Sequence, residues 1–109
     1  MHQPTLRLAH KVAIITGAGC VGPGWGNGRA TAVRFAQEGA KVFAVDIDID
    51  AMAETQKMIS EFGGDFTPCV ADVTQAESVQ SMVQLLRDTY PLQTYLIDQL
   101  KLLRLMMVE

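Results

Sequence analysis

The chain has 109 residues, which is enough for one small domain. Its formal net charge of −3 gives no reason to expect a nucleic-acid partner. No apolar stretch approaches the roughly 18 residues of a membrane span, so no membrane association is predicted. The two cysteines and two histidines match no metal-binding or redox spacing, and no metal site is predicted. So low a cysteine content fits a reducing compartment, and we expect the protein in the cytoplasm.

The first predicted element is a buried strand that leads into a glycine-rich loop. Residues 12–15 form an uninterrupted apolar run, which is typical of a strand covered on both faces. Six of the nine glycines then fall between Gly17 and Gly28, and a helix is predicted from residue 27 or 28 to Glu38. Such a loop brings backbone N–H groups close to a phosphate, and the helix dipole adds to the attraction. This part of the chain therefore predicts a nucleotide-binding site.

The second predicted strand, residues 41–45, leads directly into Asp46. A carboxylate at this position can accept hydrogen bonds from the ribose hydroxyls of an adenosine, and it would repel the additional phosphate of NADP. Its neighbours Val45 and Ile47 carry no positive charge that could offset the repulsion. We therefore expect the cofactor to be NAD. The alternative is that Asp46 only caps a helix or is a solvated acid.

The next predicted elements are a second helix and a third strand. Asp48 or Asp50 caps the helix, which carries apolar residues at helical spacing and ends near Phe62. The strand covers residues 65–71. Pro68 indicates that this strand lies at an edge of the sheet, because proline cannot donate to a strand ladder.

The third strand is followed by Asp72 and Val73 and then by a third helix. Residues 74–77, Thr-Gln-Ala-Glu, match a capping box, and apolar residues at helical spacing continue up to Tyr90. The order β-α-β-α-β-α with short connections predicts an α/β fold with three parallel strands and right-handed crossovers. The glycine loop, Asp46 and Asp72 would then lie at the carboxyl edge of the sheet, where such folds bind ligands.

Four features combine in this chain: Thr16-Gly17, Gly26-x-Gly28, Asp46 and Asp72-Val73. Through them the chain, over about residues 11–90, resembles the N-terminal half of the short-chain dehydrogenases/reductases. The resemblance implies a truncated Rossmann fold from an NAD-dependent oxidoreductase that acts on an alcohol or carbonyl substrate. S-Adenosylmethionine enzymes also have a glycine loop and an acid after the second strand, but Thr16-Gly17 and Asp72-Val73 favour the dehydrogenases.

The glycine loop departs from the pattern of that family. Eight residues lie between Gly17 and Gly26, against the three that the family usually has at this point. The inserted residues, 20–24, contain Pro23-Gly24, which is typical of a turn. We expect the insertion to bulge outward while Gly26 and Gly28 keep their place beside the phosphates.

The resemblance implies a role for each candidate site residue. The expected contacts to the pyrophosphate and the adenosine come from Gly17, Gly19, Gly26, Asn27 and Gly28. Asp46 is expected to bind the ribose. Asp72 and Val73 are expected to flank the adenine.

The catalytic motif of that family is not found in this sequence. The family uses Tyr-x-x-x-Lys, in which the lysine and the cofactor charge lower the tyrosine pKa so that it can exchange a proton with the substrate. Tyr90 and Tyr95 are followed four residues later by Thr94 and Gln99, so no catalytic residue is predicted. The leading interpretation is an NAD-binding fragment without the catalytic half, and whether the chain is itself an enzyme stays open. The alternative is a non-catalytic nucleotide-binding or partner-pairing module derived from the family.

The last segment, residues 91–109, does not match the fourth strand of that family. Apolar residues at i, i+4 and i+8 spacing between Leu92 and Met107 predict an amphipathic packing helix or a tail. The first strand would then have a bare apolar edge, which either this helix or a second copy of the chain would cover. The predicted organisation is a lead-in over residues 1–11, an NAD-binding half-Rossmann domain over residues 12–90, and this divergent C-terminal segment.

Overall fold

Strands and helices alternate along the chain. The structure is a computed structural model, and it describes residues 7–18, 27–91 and 93–97. Its elements in chain order are β1 (Lys11–Thr16), α1 (Asn27–Gln37), β2 (Lys41–Asp46), α2 (Ile49–Ser60), β3 (Asp65–Val70), α3 (Ala76–Thr89) and β4 (Thr94–Ile97). The first six agree with the predicted elements in type and order, which confirms the α/β fold.

The four strands form one parallel sheet in the order β3-β2-β1-β4. The two interior strands, β1 and β2, are buried along almost their whole length, which explains their uninterrupted apolar sequences. Among the described strands, β3 pairs with β2 alone, and within it only Cys69 is buried. This edge position confirms the prediction made from Pro68.

Helices cover both faces of the sheet, and neighbouring residues of each interior strand point to opposite faces. One layer is built by α3, whose Val79, Met82 and Leu86 pack against a face that includes Ile14 and Phe43. The other layer is built by α1 and α2, and its buried residues are Ala13, Ile15, Ala18, Ala32, Val33, Ala36, Ala40, Val42, Ala44, Met52 and Ile59. A fully buried Val, Leu, Ile, Phe or Met side chain contributes about 1.5–3 kcal/mol to folding, so these two layers hold the sheet together.

The prediction of a helix after Pro91 is wrong for residues 94–97. This segment is β4, which runs parallel to β1 with Lys11 opposite Thr94 and Ile14 opposite Ile97. Thr94, Tyr95 and Ile97 are residue types that favour strands, and pairing satisfies backbone groups that β1 would otherwise leave open. The helical spacing that misled the prediction lies mostly in residues 98–109, which are outside the described residues.

The pairing of β4 with β1 removes the reason for expecting self-association. The edge of β1 was predicted to have no partner strand. A C-terminal helix or a second copy of the chain was expected to cover it. In the structure that edge is occupied by a strand of the same chain. Tyr95 adds a further attachment, because its hydroxyl donates to the backbone carbonyl of Tyr90 at the end of α3.

The helix caps were predicted correctly for α2 and incorrectly for α3. Asp48 is the N-cap of α2, and its carboxylate accepts hydrogen bonds from the backbone N–H groups of Asp50 and Ala51. The predicted capping box of α3 does not form, because the N-cap is Gln75 and no side chain caps the helix. The hydroxyl of Thr74 is instead committed to another side chain, which belongs to the site described next.

Candidate functional site

An open cleft lies at the carboxyl ends of β1, β2 and β3. Its volume is about 260 Å³, and it is lined by Thr16, Gly17, Val45, Asp46, Ile47, Ala71, Asp72, Val73 and Thr74. The two predicted carboxylates thus lie together with the first residues of the glycine loop, although they are far apart in sequence. The lining from the described residues contains two acids and no basic side chain.

Gly17 turns the chain out of β1 into this cleft. Its φ angle is +63°, a left-handed conformation in which a residue with a side chain is strained. Its backbone N–H donates to the carbonyl of Val45 at 2.8 Å, which ties the start of the loop to the end of β2. The Thr16-Gly17 pair therefore marks a turn that favours glycine at its second position.

Gly28 allows α1 to pack directly on that turn. A Cβ added at Gly28 would lie 1.8 Å from the carbonyl oxygen of Gly17 and 2.6 Å from its carbonyl carbon. Only a glycine permits this approach, which holds the N-terminus of α1 beside the end of β1. The first turn of α1 contains no acidic residue, so no side chain there offsets the positive end of the helix dipole.

Asp46 ends β2 and is partly buried. Its carboxylate Oδ1 accepts a hydrogen bond from the backbone N–H of Asp48 at 3.1 Å. Its backbone carbonyl accepts from the N–H of Ala71 at 3.1 Å, so β2 and the residues after β3 are joined at the cleft. The cap of α2 is Asp48 and not Asp46, which leaves Asp46 in the cleft lining.

Asp72 is held by Thr74 in a tight turn after β3. Its Oδ1 accepts from the backbone N–H of Thr74 at 2.9 Å and from the Thr74 hydroxyl at 2.6 Å. These two bonds hold the pKa of the Asp72 carboxyl below its ordinary value, and the bond from the Thr74 hydroxyl makes the largest contribution. The backbone N–H of Asp72 donates to Ser78 Oγ at 2.8 Å, so α3 also fixes the turn.

The cleft also has an apolar part. Val73 is partly buried and packs against the core layer of α3. Ile47 is 71% exposed although it lines the cleft, and Val70, beside Asp46 in the sheet register, is also exposed. Exposed aliphatic side chains next to two carboxylates can cover the face of a flat ring while the acids bind polar groups at its side.

Not all of the predicted site residues belong to the part of the chain that the structure describes. Gly19, Gly26 and the insertion at residues 20–24 lie outside the described residues, and Asn27 is described as the first residue of α1. No group of three potential metal-ligating side chains occurs in the part of the chain that the structure describes. The helices of this part include none that is long and apolar enough to span a membrane.

The two tyrosines lie away from the cleft. Tyr90 is buried, and its hydroxyl shares a hydrogen bond with Thr67 Oγ1 at 2.8 Å and donates to Asp65 at 3.2 Å. Asp65 begins β3, whereas the cleft lies where β3 ends. Burial, the largest of several influences, raises the pKa of Tyr90 above its ordinary value.

Sequence reasoning missed three contributors to the site region. Thr74 was assigned to a helix cap, although an Asp followed two residues later by Thr is also the pattern of a local Asp-centred turn. Arg29 and Thr55 are both buried and joined by a hydrogen bond of 2.9 Å next to the glycine loop. No local pattern in the sequence could have found that pair, because it depends on how α1 packs against α2.

A family model described as short chain dehydrogenase matches residues 11–98 of this chain. Levodione reductase from Leifsonia aquatica is 38% identical over 83 residues, which is 74% of this chain and 29% of that protein. A crystal structure from Burkholderia xenovorans, assigned to the short-chain dehydrogenases/reductases, is 54% identical with a TM-score of 0.76, covering 77% of this chain and 33% of that one. The crystal structure of NAD+-bound xylitol dehydrogenase is 32% identical with a TM-score of 0.67, and the match covers 77% of this chain and 30% of that one.

The matched region extends beyond residue 90, where the resemblance was expected to end. It includes β4, in agreement with the pairing of that strand in the sheet. The chain spans between 11% and 30% of the length of the curated relatives compared with it, Levodione reductase among them at 29%.

Proposed function

Because the chain belongs to the short-chain dehydrogenase family, we propose that its cleft binds NAD as the cofactor site of an oxidoreductase. The family binds nicotinamide dinucleotides, either NAD or NADP. The observation that carries the proposal is the meeting of Gly17, Asp46 and Asp72 at one sheet edge. These residues offer a close backbone approach and two hydrogen-bond acceptors, which fit the phosphates, the ribose and the adenine of a dinucleotide.

The adenosine ribose is assigned to Asp46. A carboxylate has about four lone-pair positions, so Asp46 can accept bonds from ribose hydroxyls in addition to the bond from the Asp48 N–H. The joined ends of β2 and β3 keep this carboxylate in place before the ligand arrives, which reduces the entropy cost of binding.

Selectivity for NAD over NADP follows from charge. The additional phosphate of NADP would lie where Asp46 is proposed to bind the ribose, and two negative charges would meet there. The described cleft lining has no Lys or Arg that could neutralise that phosphate. Asp46 therefore selects against NADP.

The adenine is assigned to the apolar part of the cleft between Ile47 and Val73. Ile47 is largely exposed, so a ring that covers it removes apolar surface from water. Asp72 lies beside Val73 in the cleft lining and can accept a hydrogen bond from the adenine amino group.

The pyrophosphate is assigned to the loop between β1 and α1. Gly17 and Gly28 hold the two ends of this loop together, and the N-terminus of α1 favours negative charge. Gly19, Gly26 and Asn27 complete the proposed set of backbone contacts.

When bound, NAD would supply the hydride acceptor for oxidation of an alcohol, or NADH the donor for reduction of a carbonyl. This chain contributes the binding and orientation of the cofactor, and no catalytic residue is assigned to it. We place the protein in the cytoplasm, with the buried free thiol of Cys69 as support.

Equilibrium binding tests the proposal. Titrations of the 109-residue chain with NAD, NADP and S-adenosylmethionine would be compared under one set of conditions. We expect saturable binding of NAD that is at least about tenfold tighter than that of NADP, a difference of about 1.4 kcal/mol. Equal affinity for the two dinucleotides would contradict the role of Asp46, and tighter binding of S-adenosylmethionine would contradict the assignment of the cofactor.

A further inference from the structure

We infer that Thr55, oriented by Arg29, is a positioning residue that fixes both ends of the glycine loop and so prepares it for the pyrophosphate. The inference rests on the proposed NAD site. It assigns a role to a side chain of α2, an element that contributes no residue to the cleft lining. Thr55, Arg29 and Ala18 are joined by one chain of hydrogen bonds.

Thr55 is fully buried in α2, and its hydroxyl makes two hydrogen bonds. It donates to the backbone carbonyl of Ala18 at 2.8 Å and accepts from the Nε of Arg29 at 2.9 Å. A carbonyl can only accept and a guanidinium can only donate, so the direction of both bonds is fixed. Linked bonds of this kind polarise and strengthen one another away from water.

Arg29 holds the other side of this arrangement. It is the third residue of α1, it is 3% exposed, and its Nη2 donates to the backbone carbonyl of Ala51 at 3.3 Å. Burying a guanidinium is unfavourable unless its donors find acceptors. The contacts with Thr55 and Ala51 therefore tie the first turn of α1 firmly to α2.

The positions of Ala18 and Arg29 explain why this matters for the loop. Ala18 directly follows Gly17, the left-handed residue that leaves β1, and Arg29 directly follows Gly28, which packs against Gly17. One hydroxyl thus joins the residue where the loop begins to the turn of helix where it ends. The two ends of the loop, at Ala18 and at the first turn of α1, are therefore held in place before a ligand binds, which lowers the entropy cost of binding.

The adenosine part of the site is held by different bonds. Asp46 is fixed through Asp48 and the residues after β3, and Asp72 is fixed through Thr74 and Ser78. Loss of the Thr55 hydroxyl should therefore weaken the binding of ligands that contain the pyrophosphate and leave the binding of adenosine almost unchanged. A residue that only stabilised the fold would change both affinities by the same factor.

The test compares the full chain with Thr55→Val, which keeps the shape and removes the hydroxyl, and Thr55→Ser, which keeps the hydroxyl. Affinities for NAD, ADP-ribose and adenosine would be measured by NMR titration below the melting temperature of each variant. We expect Thr55→Val to lower the affinity for NAD and for ADP-ribose about tenfold, which is the order of magnitude of one buried hydrogen bond. The affinity for adenosine should change less than about twofold. Thr55→Ser should restore NAD affinity to within about twofold of the original chain.

Other results would overturn the inference. One is that Thr55→Val binds NAD as tightly as the original chain does. Another is that Thr55→Val loses affinity for NAD and for adenosine by the same factor. A third is that Thr55→Ser binds NAD as weakly as Thr55→Val. If Thr55→Val does not fold, Arg29→Lys, which removes the Nε donor and keeps the charge, must show the same difference between NAD and adenosine. An original chain that binds neither NAD nor adenosine overturns the proposed function together with this inference, whereas normal NAD binding by the variants overturns the inference alone.

Discussion

Gly28 approaches Gly17 so closely that a Cβ on Gly28 would lie 1.8 Å from the Gly17 carbonyl oxygen. Real Cβ atoms do not come this near to another heavy atom, so the contact exists only because residue 28 has no side chain. It joins the end of β1 to the beginning of α1. The relative position of the two ends of the glycine loop depends on this contact, and the first prediction tests it.

Gly28→Ala should destabilise the protein and weaken NAD binding. The methyl group would push α1 away from Gly17, and forcing extra volume into a packed contact costs about 1–3 kcal/mol. Urea unfolding measures the loss of stability. The matched control is Ala30→Ser at an exposed position of the same helix, which should stay within about 0.5 kcal/mol of the original chain. A Gly28→Ala variant as stable as that control would show that the close contact does not exist.

Asp46→Asn should reduce the preference for NAD over NADP. The amide can still hydrogen-bond the ribose, but it no longer repels the additional phosphate, and we expect the ratio of the two affinities to move about tenfold toward NADP. Equilibrium titration with both dinucleotides measures the ratio. Asp48→Asn is the control, because it removes a neighbouring exposed charge while asparagine remains a good N-cap. An equal shift in both variants would mean that net charge, rather than the position of Asp46, decides the preference.

Thr74→Val should raise the pKa of Asp72 toward its ordinary value of 3.8. The Thr74 hydroxyl makes the largest contribution to the lowered pKa, and valine keeps only the backbone donor. A lowered folded-state pKa stabilises the protein above the unfolded pKa, and this stabilisation is lost as the pH falls through the folded value. The variant should therefore be less stable at neutral pH, with the difference shrinking in acid below about pH 4. NMR titration of the Asp72 carboxyl carbon measures the pKa, and an unchanged value would contradict the assigned hydrogen bonds.

Leu96→Pro should detach β4 and expose the edge of β1. Leu96 lies opposite Ala13 in the register of the two strands and packs against the core layer of α1 and α2. Proline removes that side chain and holds φ near about −65°, well short of the extended value of a parallel strand. We expect a lower midpoint of urea unfolding and concentration-dependent association, because an unpaired apolar strand edge invites another chain. Leu96→Val is the control, since valine favours strands. Size-exclusion chromatography in which the proline variant elutes like the control would contradict the role of β4.

The parts of the fold that the sequence could predict are those with strong local signals. The buried apolar run before Gly17 and the similar run before Asp46 predicted β1 and β2, and Pro68 predicted the edge position of β3. The cleft could be located for the same reason, because parallel strands place Asp46 and Asp72 at one edge of the sheet.

Other features depended on contacts that no local pattern reveals. In β4, strand-forming residue types competed with a helical spacing of leucines, and pairing with β1 decided the outcome. At Thr74 a capping box competed with a turn, and the hydroxyl bonded to Asp72 instead of the helix N-terminus. The pairing of Arg29 with Thr55 exists only because α1 and α2 pack side by side on one face of the sheet.

The most direct test of the central claim is the thermal melting of the purified chain with NAD, with NADP and with neither. A ligand at about 100 times its dissociation constant stabilises the folded state by roughly 2.7 kcal/mol, which raises Tm by several degrees in a domain of this size. We predict a cooperative transition that NAD shifts upward and that NADP, at the same concentration, shifts much less. A cooperative transition that neither dinucleotide moves would contradict the claim that this cleft is an NAD site.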